Sequence, residues 1–167
     1  MPRKINNFFV IPCALLLLVI ACDSKQVYDA YQSVPEKWHK DSLITFKLTA
    51  PDTTNAYNLH INLRNTNDYQ YSNLFLIAEL QYPNGKTIKD TLEYKIAAPN
   101  GELLGKGFTD VKESKLWYKG YDEPFIFKES GDYIVTLQQA MRRNGDVNGV
   151  LELEGVTDIG FRVEYKE

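Results

Sequence analysis

Apolar and polar side chains alternate along most of this chain. Ile44, Phe46 and Leu48 are separated by Thr45 and Lys47, and Leu59, Ile61 and Leu63 by His60 and Asn62. Ile159, Phe161, Val163 and Tyr165 are separated by Gly160, Arg162 and Glu164. A period of two puts one face of each run in a core and the other in water, so each predicts a half-buried strand. His60 falls on a polar face and is expected in solvent. The denser run Leu74–Leu80 predicts a central strand. Tyr82-Pro83-Asn84-Gly85-Lys86 predicts a hairpin turn into a strand over 87–94, because Asn-Gly readily takes positive φ. Pro99-Asn100-Gly101 repeats that turn chemistry. Residues 115–119, 124–127 and 132–138 predict further short strands, and 138–143 predicts at most a turn or two of helix. With turns every ten to fifteen residues and no sustained 3.6 periodicity, the expected fold is all-β. It is a single antiparallel β-sandwich of about eight strands over residues 41–167.

The first forty residues break this pattern. Arg3 and Lys4 precede an unbroken apolar run from Phe8 to Ala21, too short to cross a hydrocarbon layer of ~30 Å as a helix. The run ends Val19-Ile20-Ala21-Cys22. An aliphatic residue, a tolerant position, a small residue and a Cys form a bacterial lipobox. Residues 1–21 are therefore expected to be a lipoprotein signal peptide, with Cys22 the lipidated mature N-terminus. An ordinary cleaved signal peptide and an N-terminal anchor helix are the alternatives. Cys13 follows Pro12 inside the apolar run and is read as a passenger. Residues 22–40 are expected to be a lipidated tether, although Val27, Tyr28, Tyr31, Val34 and Trp38 make it apolar enough for part of it to dock on the domain.

Composition narrows the function classes. Nineteen Lys and Arg against 22 Asp and Glu give a formal net charge of -3, which argues against nucleic acid as a partner. The two histidines, His39 and His60, lie in no Cys/His cluster, so no metal and no cofactor is expected. There is no nucleophile elbow, and Gly101–Gly107 lacks the Lys-Ser/Thr end of a phosphate loop. Glu152 and Glu154 share a strand face as solvated acids. No catalytic residue is expected, and the chain is read as no enzyme.

Two features point to recognition. The polar stretch Asn65–Asn73 carries Asn67, Asp68, Tyr69 and Tyr71, and exposed Tyr among Asn and Asp is typical of binding surfaces. The competing reading folds both Tyr rings back onto the sandwich. In Leu116-Trp117-Tyr118, one of the two rings points in and the other out. Trp117 is expected in the core, and an outward Trp117 would join the interaction surface.

The segments Trp38–Ser42, Asn65–Tyr69, Tyr71–Leu76, Pro83–Lys86 and Asp90–Tyr94 resemble the GldH family of gliding motility lipoproteins of Bacteroidetes. So do Gly107-Phe108, Asp110–Glu113, Leu116–Lys119, Ala140–Arg142 and Leu153–Arg162. The resemblance implies a non-catalytic cell-envelope lipoprotein that works with the gliding and type IX secretion machinery. Apart from the lipid on Cys22 it supplies no site residue. The expected location is lipid-anchored in the envelope, with the outer membrane ahead of the inner. A glycan-binding envelope lipoprotein is the alternative, since sandwiches with exposed aromatics often hold sugars.

Overall fold

The computed structural model describes residues 24–35, 37–107 and 109–167. The lipobox and Cys22 lie outside the described residues. The elements are β1 (Gln26–Ser33), β2 (Lys37–His39), β3 (Ile44–Thr49), β4 (Tyr57–Asn65) and β5 (Asn73–Gln81). They continue with β6 (Thr87–Lys95), β7 (Lys112–Lys119), β8 (Asp132–Gln139), β9 (Glu152–Glu154) and β10 (Val156–Tyr165).

Two four-stranded antiparallel sheets form a sandwich. One runs β1-β10-β4-β7, the other β3-β8-β5-β6, and β2 pairs with β9 as a separate ribbon. The alternation explains the layers. Leu59, Ile61 and Leu63 of β4 and Ile159, Phe161 and Val163 of β10 face Phe46, Leu48, Leu76, Leu80, Val135 and Leu137 of the other sheet, all buried. Phe161 links the layers through Phe46, at 6.0 Å between ring centroids. Tyr118 meets the same ring edge-on at 6.3 Å. Aromatic pairs of this kind add roughly 1 kcal/mol each to the area they bury.

The sandwich is closed at both sides. The Gln32 side chain of β1 donates to the Thr45 carbonyl of β3. On the far side, Tyr118 and Lys119 of β7 both donate to Asp90 of β6, at 3.2 and 2.7 Å. The β2–β9 ribbon brings in Trp38, which is buried and donates its indole N–H to the Ser42 carbonyl at 3.0 Å.

Several expectations are corrected. Gln26–Ser33 pairs with β10 along its length and Lys37–His39 with β9, so the part of the 22–40 tether expected to dock is built into the sheets as strands. Residues 138–143 form no helix: Gln138 and Gln139 finish β8, and Arg142 bridges to Gly149. Residues 124–127 are not a strand, and only Phe125 forms a bridge, to Tyr57.

The first and last strands meet. The Tyr165 N–H donates to the Lys25 carbonyl and the Lys166 N–H to that of Ala56. Lys25, Tyr57, Gly120, Tyr121, Phe125 and Tyr165 therefore share one end of the sandwich, called the base below. The Asn65–Asn73 connection and the β2–β9 ribbon lie at the other end.

Candidate functional site

The outward face of the β1-β10-β4-β7 sheet departs from an ordinary solvated surface. Register lines its residues up in rows across all four strands. One row is Asp29, Arg162, His60 and Trp117, and the next is Tyr31, Gly160, Asn62 and Lys115. A third is Ser33, Asp158, Arg64 and Glu113. These are the positions that the period of two assigns to water. Yet His60 and Asn62 are each only 2% exposed.

Long and flat side chains cover them. The Trp117 ring lies over His60 with centroids 4.3 Å apart, and Tyr121 meets Trp117 edge-on at 5.2 Å. Tyr31 lies across Gly160 so closely that a Cβ there would come within 2.7 Å of its ring. Asn62 donates to the Tyr31 hydroxyl at 2.8 Å, and that hydroxyl donates to Glu113 at 3.1 Å. Arg64 donates to Glu113 at 2.6 Å and stacks 4.0 Å above the Tyr31 ring. Burial, followed by the neighbouring charges of Glu113 and Asp29, pushes the Tyr31 phenol up to about 12.

Arg162 is the hub of the charged part. It donates to Asp29 at 2.8 Å, to Gln26 at 2.9 Å and to Glu164 at 2.6 Å. Lys115 donates to the other Glu164 oxygen at 2.6 Å. Burial pushes the Glu164 carboxyl up, but the hydrogen bonds and charges of Lys115 and Arg162 override it and hold it below the usual range. Burial, reinforced by the Lys115 charge, pushes His60 down to about 4, against a smaller opposing pull from Glu164. His60 is therefore neutral at physiological pH. Its Nδ1 stands 3.8 Å from Glu164, too far for a hydrogen bond.

This geometry suits recognition. Glu164, Asp29 and Glu113 are each held by a cation, so each is a poor candidate base, and the imidazole is covered by indole. What the face presents outward is Trp117, 41% exposed and flanked at its edge by Tyr121, beside a network of ion-paired acids and bases. Exposed aromatic side chains are enriched at binding hot spots, and on this face Asp29 Oδ1, His60 Nδ1 and Asn62 Oδ1 are buried without a hydrogen-bond partner. Among the described residues, no three His, Cys, Asp or Glu side chains converge as a metal set.

The structure separates the residues that the sequence singled out. Tyr69 is 5% exposed and donates to the Asn73 carbonyl at 2.7 Å, and burial pushes its phenol up. Tyr71 packs edge-on against it at 5.9 Å and is half-buried. The Tyr69 ring thus folds back onto the sandwich and leaves the proposed surface, while Asn67 and Asp68 remain exposed in a tight turn. Trp117 points outward and Tyr118 inward, the reverse of the expectation, because Leu116 opposite Ile61 sets the phase of β7. Trp117 sits opposite His60, while the polar loop leaves β4 at Asn65, about 17 Å further along the strand. His60 itself is buried, contrary to expectation: it lies on the polar face, but that face is covered.

Sequence reasoning missed Asp29, Tyr31, His60, Asn62, Lys115, Arg162 and Glu164 as a group. Their one local signal is Gly160, a glycine in mid-strand, which marks close approach of another group.

The model of the GldH lipoprotein family matches residues 26–163. This chain belongs to the GldH lipoprotein family. A "Gliding motility lipoprotein GldH homolog" from Christiangramia forsetii is 61% identical over 152 residues, covering 91% of each chain. The "Gliding motility lipoprotein GldH" of Flavobacterium johnsoniae is 50% identical over 164 residues, covering 98% of this chain and 99% of that one. Among solved structures, a family GH115 4-O-methyl-alpha-glucuronidase superposes with a TM-score of 0.43 at 10% identity, over 87% of this chain and 18% of that one. The chain thus spans less than a fifth of that enzyme, and at that similarity nothing about activity follows. Membership in the GldH family makes the chain a lipoprotein, anchored to a membrane of the cell envelope.

Proposed function

We propose that this protein is a non-catalytic subunit of, or accessory to, the gliding motility machinery, acylated at Cys22. It meets protein partners through the outward face around Trp117. The observation that carries this reading is similarity along 98% of the chain to a protein named for gliding motility. The paired charges and projecting aromatic rings of the outward face support contact rather than chemistry. The partners are motility or type IX secretion subunits, and the outer membrane is the favoured location. Asn67 and Asp68 remain a secondary contact, without Tyr69.

The test is site-specific photo-crosslinking in intact cells. A photoreactive residue replaces Trp117 in one tagged variant and Thr45, on the outward face of the other sheet, in a second. Motility or type IX secretion components captured from position 117 and not from 45 support the proposal. Capture of polysaccharide from 117 moves the assignment to glycan binding. Equal capture from both positions refutes the assigned face.

A further inference from the structure

The base of the sandwich carries Tyr121, Tyr165 and Ile126 with their side chains exposed. We propose that this end of the domain rests in the lipid headgroup layer of the bilayer that holds the Cys22 acyl chains. The domain is thereby held upright, with the Trp117 face turned sideways. This inference rests on acylation at Cys22.

Chain length is the first argument. Lys25 is already tied to β10 through the Tyr165 N–H, and β1 begins at Gln26. Only Asp23 and Ser24 separate Cys22 from Lys25, three steps along the backbone. Fully extended they span about 10 Å, roughly the thickness of a headgroup layer. The domain therefore has no linker on which to stand away from the bilayer. The end that carries Lys25 is the end that faces it.

The side chains at that end are the second argument. Tyr121 is 67% exposed, Tyr165 42% and Ile126 38%, and all three belong to the base or to the loop that leaves it. Tyr165 is braced by Tyr57, with centroids 5.2 Å apart. Tyrosine suits a membrane interface because its ring enters the acyl boundary while its hydroxyl stays hydrated. Charge is not the driving term. Asp52, Glu129 and Glu167 stand at this end with Lys25, Lys86 and Lys166, so acids and bases balance and an anionic surface is not specifically attracted. The acyl chains supply the affinity. With the base already at high local concentration against the bilayer, a few aromatic rings suffice to set the tilt.

Cys13 leaves with the signal peptide and the Cys22 thiol is taken by lipid. An introduced cysteine is then the single free thiol. Glu123→Cys at the base and Val147→Cys at the opposite end are each labelled with an environment-sensitive fluorophore. The full acylated protein is reconstituted in phosphatidylcholine–phosphatidylethanolamine vesicles, some carrying a headgroup-level quencher. Intact mass first reports the acyl chains. With acylation present, the label at 123 should show a blue shift and quenching, and that at 147 neither. Replacing Tyr121 and Tyr165 with Ser should weaken the signal at 123 while leaving the protein on the vesicles. Acylated protein whose two labels respond alike overturns the orientation and leaves the lipoprotein reading intact. A mass without acyl chains overturns both.

Discussion

Acid should weaken this fold through His60 before it does so through Glu164. In the folded chain His60 stays neutral down to about 4, against an ordinary value of 6.5 in the unfolded chain. The groups facing it are Trp117 and Lys115 of β7 and Arg162 and Glu164 of β10. As pH falls through 6.5, the unfolded chain takes up a proton that the fold refuses. The stability linked to His60 is thus fully present above 6.5 and is lost on acidification toward 4. Integrating proton uptake from pH 7.5 to pH 5 gives a loss of about 2 kcal/mol. Glu164 is shifted in the same direction, held below its ordinary value, but that ordinary value is itself lower, so its contribution is lost at lower pH and separates from this window. Urea unfolding of the chain from Asp23 onward, at pH 7.5 and at pH 5, measures the difference. His60→Gln should be less stable at pH 7.5 but should lose about 2 kcal/mol less between the two pH values. Equal losses in wild type and variant, or an imidazole that titrates near 6.5 by NMR in the folded chain, would refute the account.

Trp117→Ala should cost at most about 1 kcal/mol, because the ring is partly exposed, and should raise the His60 titration midpoint by uncovering the imidazole. Tyr118→Ala, one residue along, should cost roughly 3 kcal/mol in urea unfolding, because it empties a core position and strips a partner from Asp90. Gly160→Ala drives a methyl into the Tyr31 ring and should lower stability by about 2 kcal/mol. In a Tyr31→Ser background the same change should cost much less, and a double-mutant cycle without coupling counts against the contact. Gly155→Ala faces both a φ of 80° and a Tyr69 backbone nitrogen 2.2 Å from the new Cβ. It should cost roughly 3 kcal/mol and release Tyr69 to solvent, read as loss of that phenol's protection from iodination.

Membership in a fold class was legible because alternation is a local signal. The runs at 44–48, 59–63 and 159–163 each mark a buried face with no knowledge of partners, and all three hold. The hairpin at Asn84-Gly85 holds for the same reason, with Gly85 at φ 85°. Where a segment is short and aromatic, phase was ambiguous, and Trp117 and Tyr118 were exchanged. Where a segment owes its structure to a distant partner, as β1 does to β10, no local pattern distinguished strand from tether.

By itself the sequence determined the all-β class, the core faces of the central strands and the family. These depend on the order of side chains along one strand or one short motif, which the chain carries wherever it goes. Tertiary structure alone decided what happens on the outward face. Whether His60 meets water depends on Trp117 from β7 and on Arg162 and Glu164 from β10. These are separated from it by more than fifty residues of chain and brought to it by register. A period of two says which side of a sheet a residue occupies, and only the neighbouring strands say what lies on top of it.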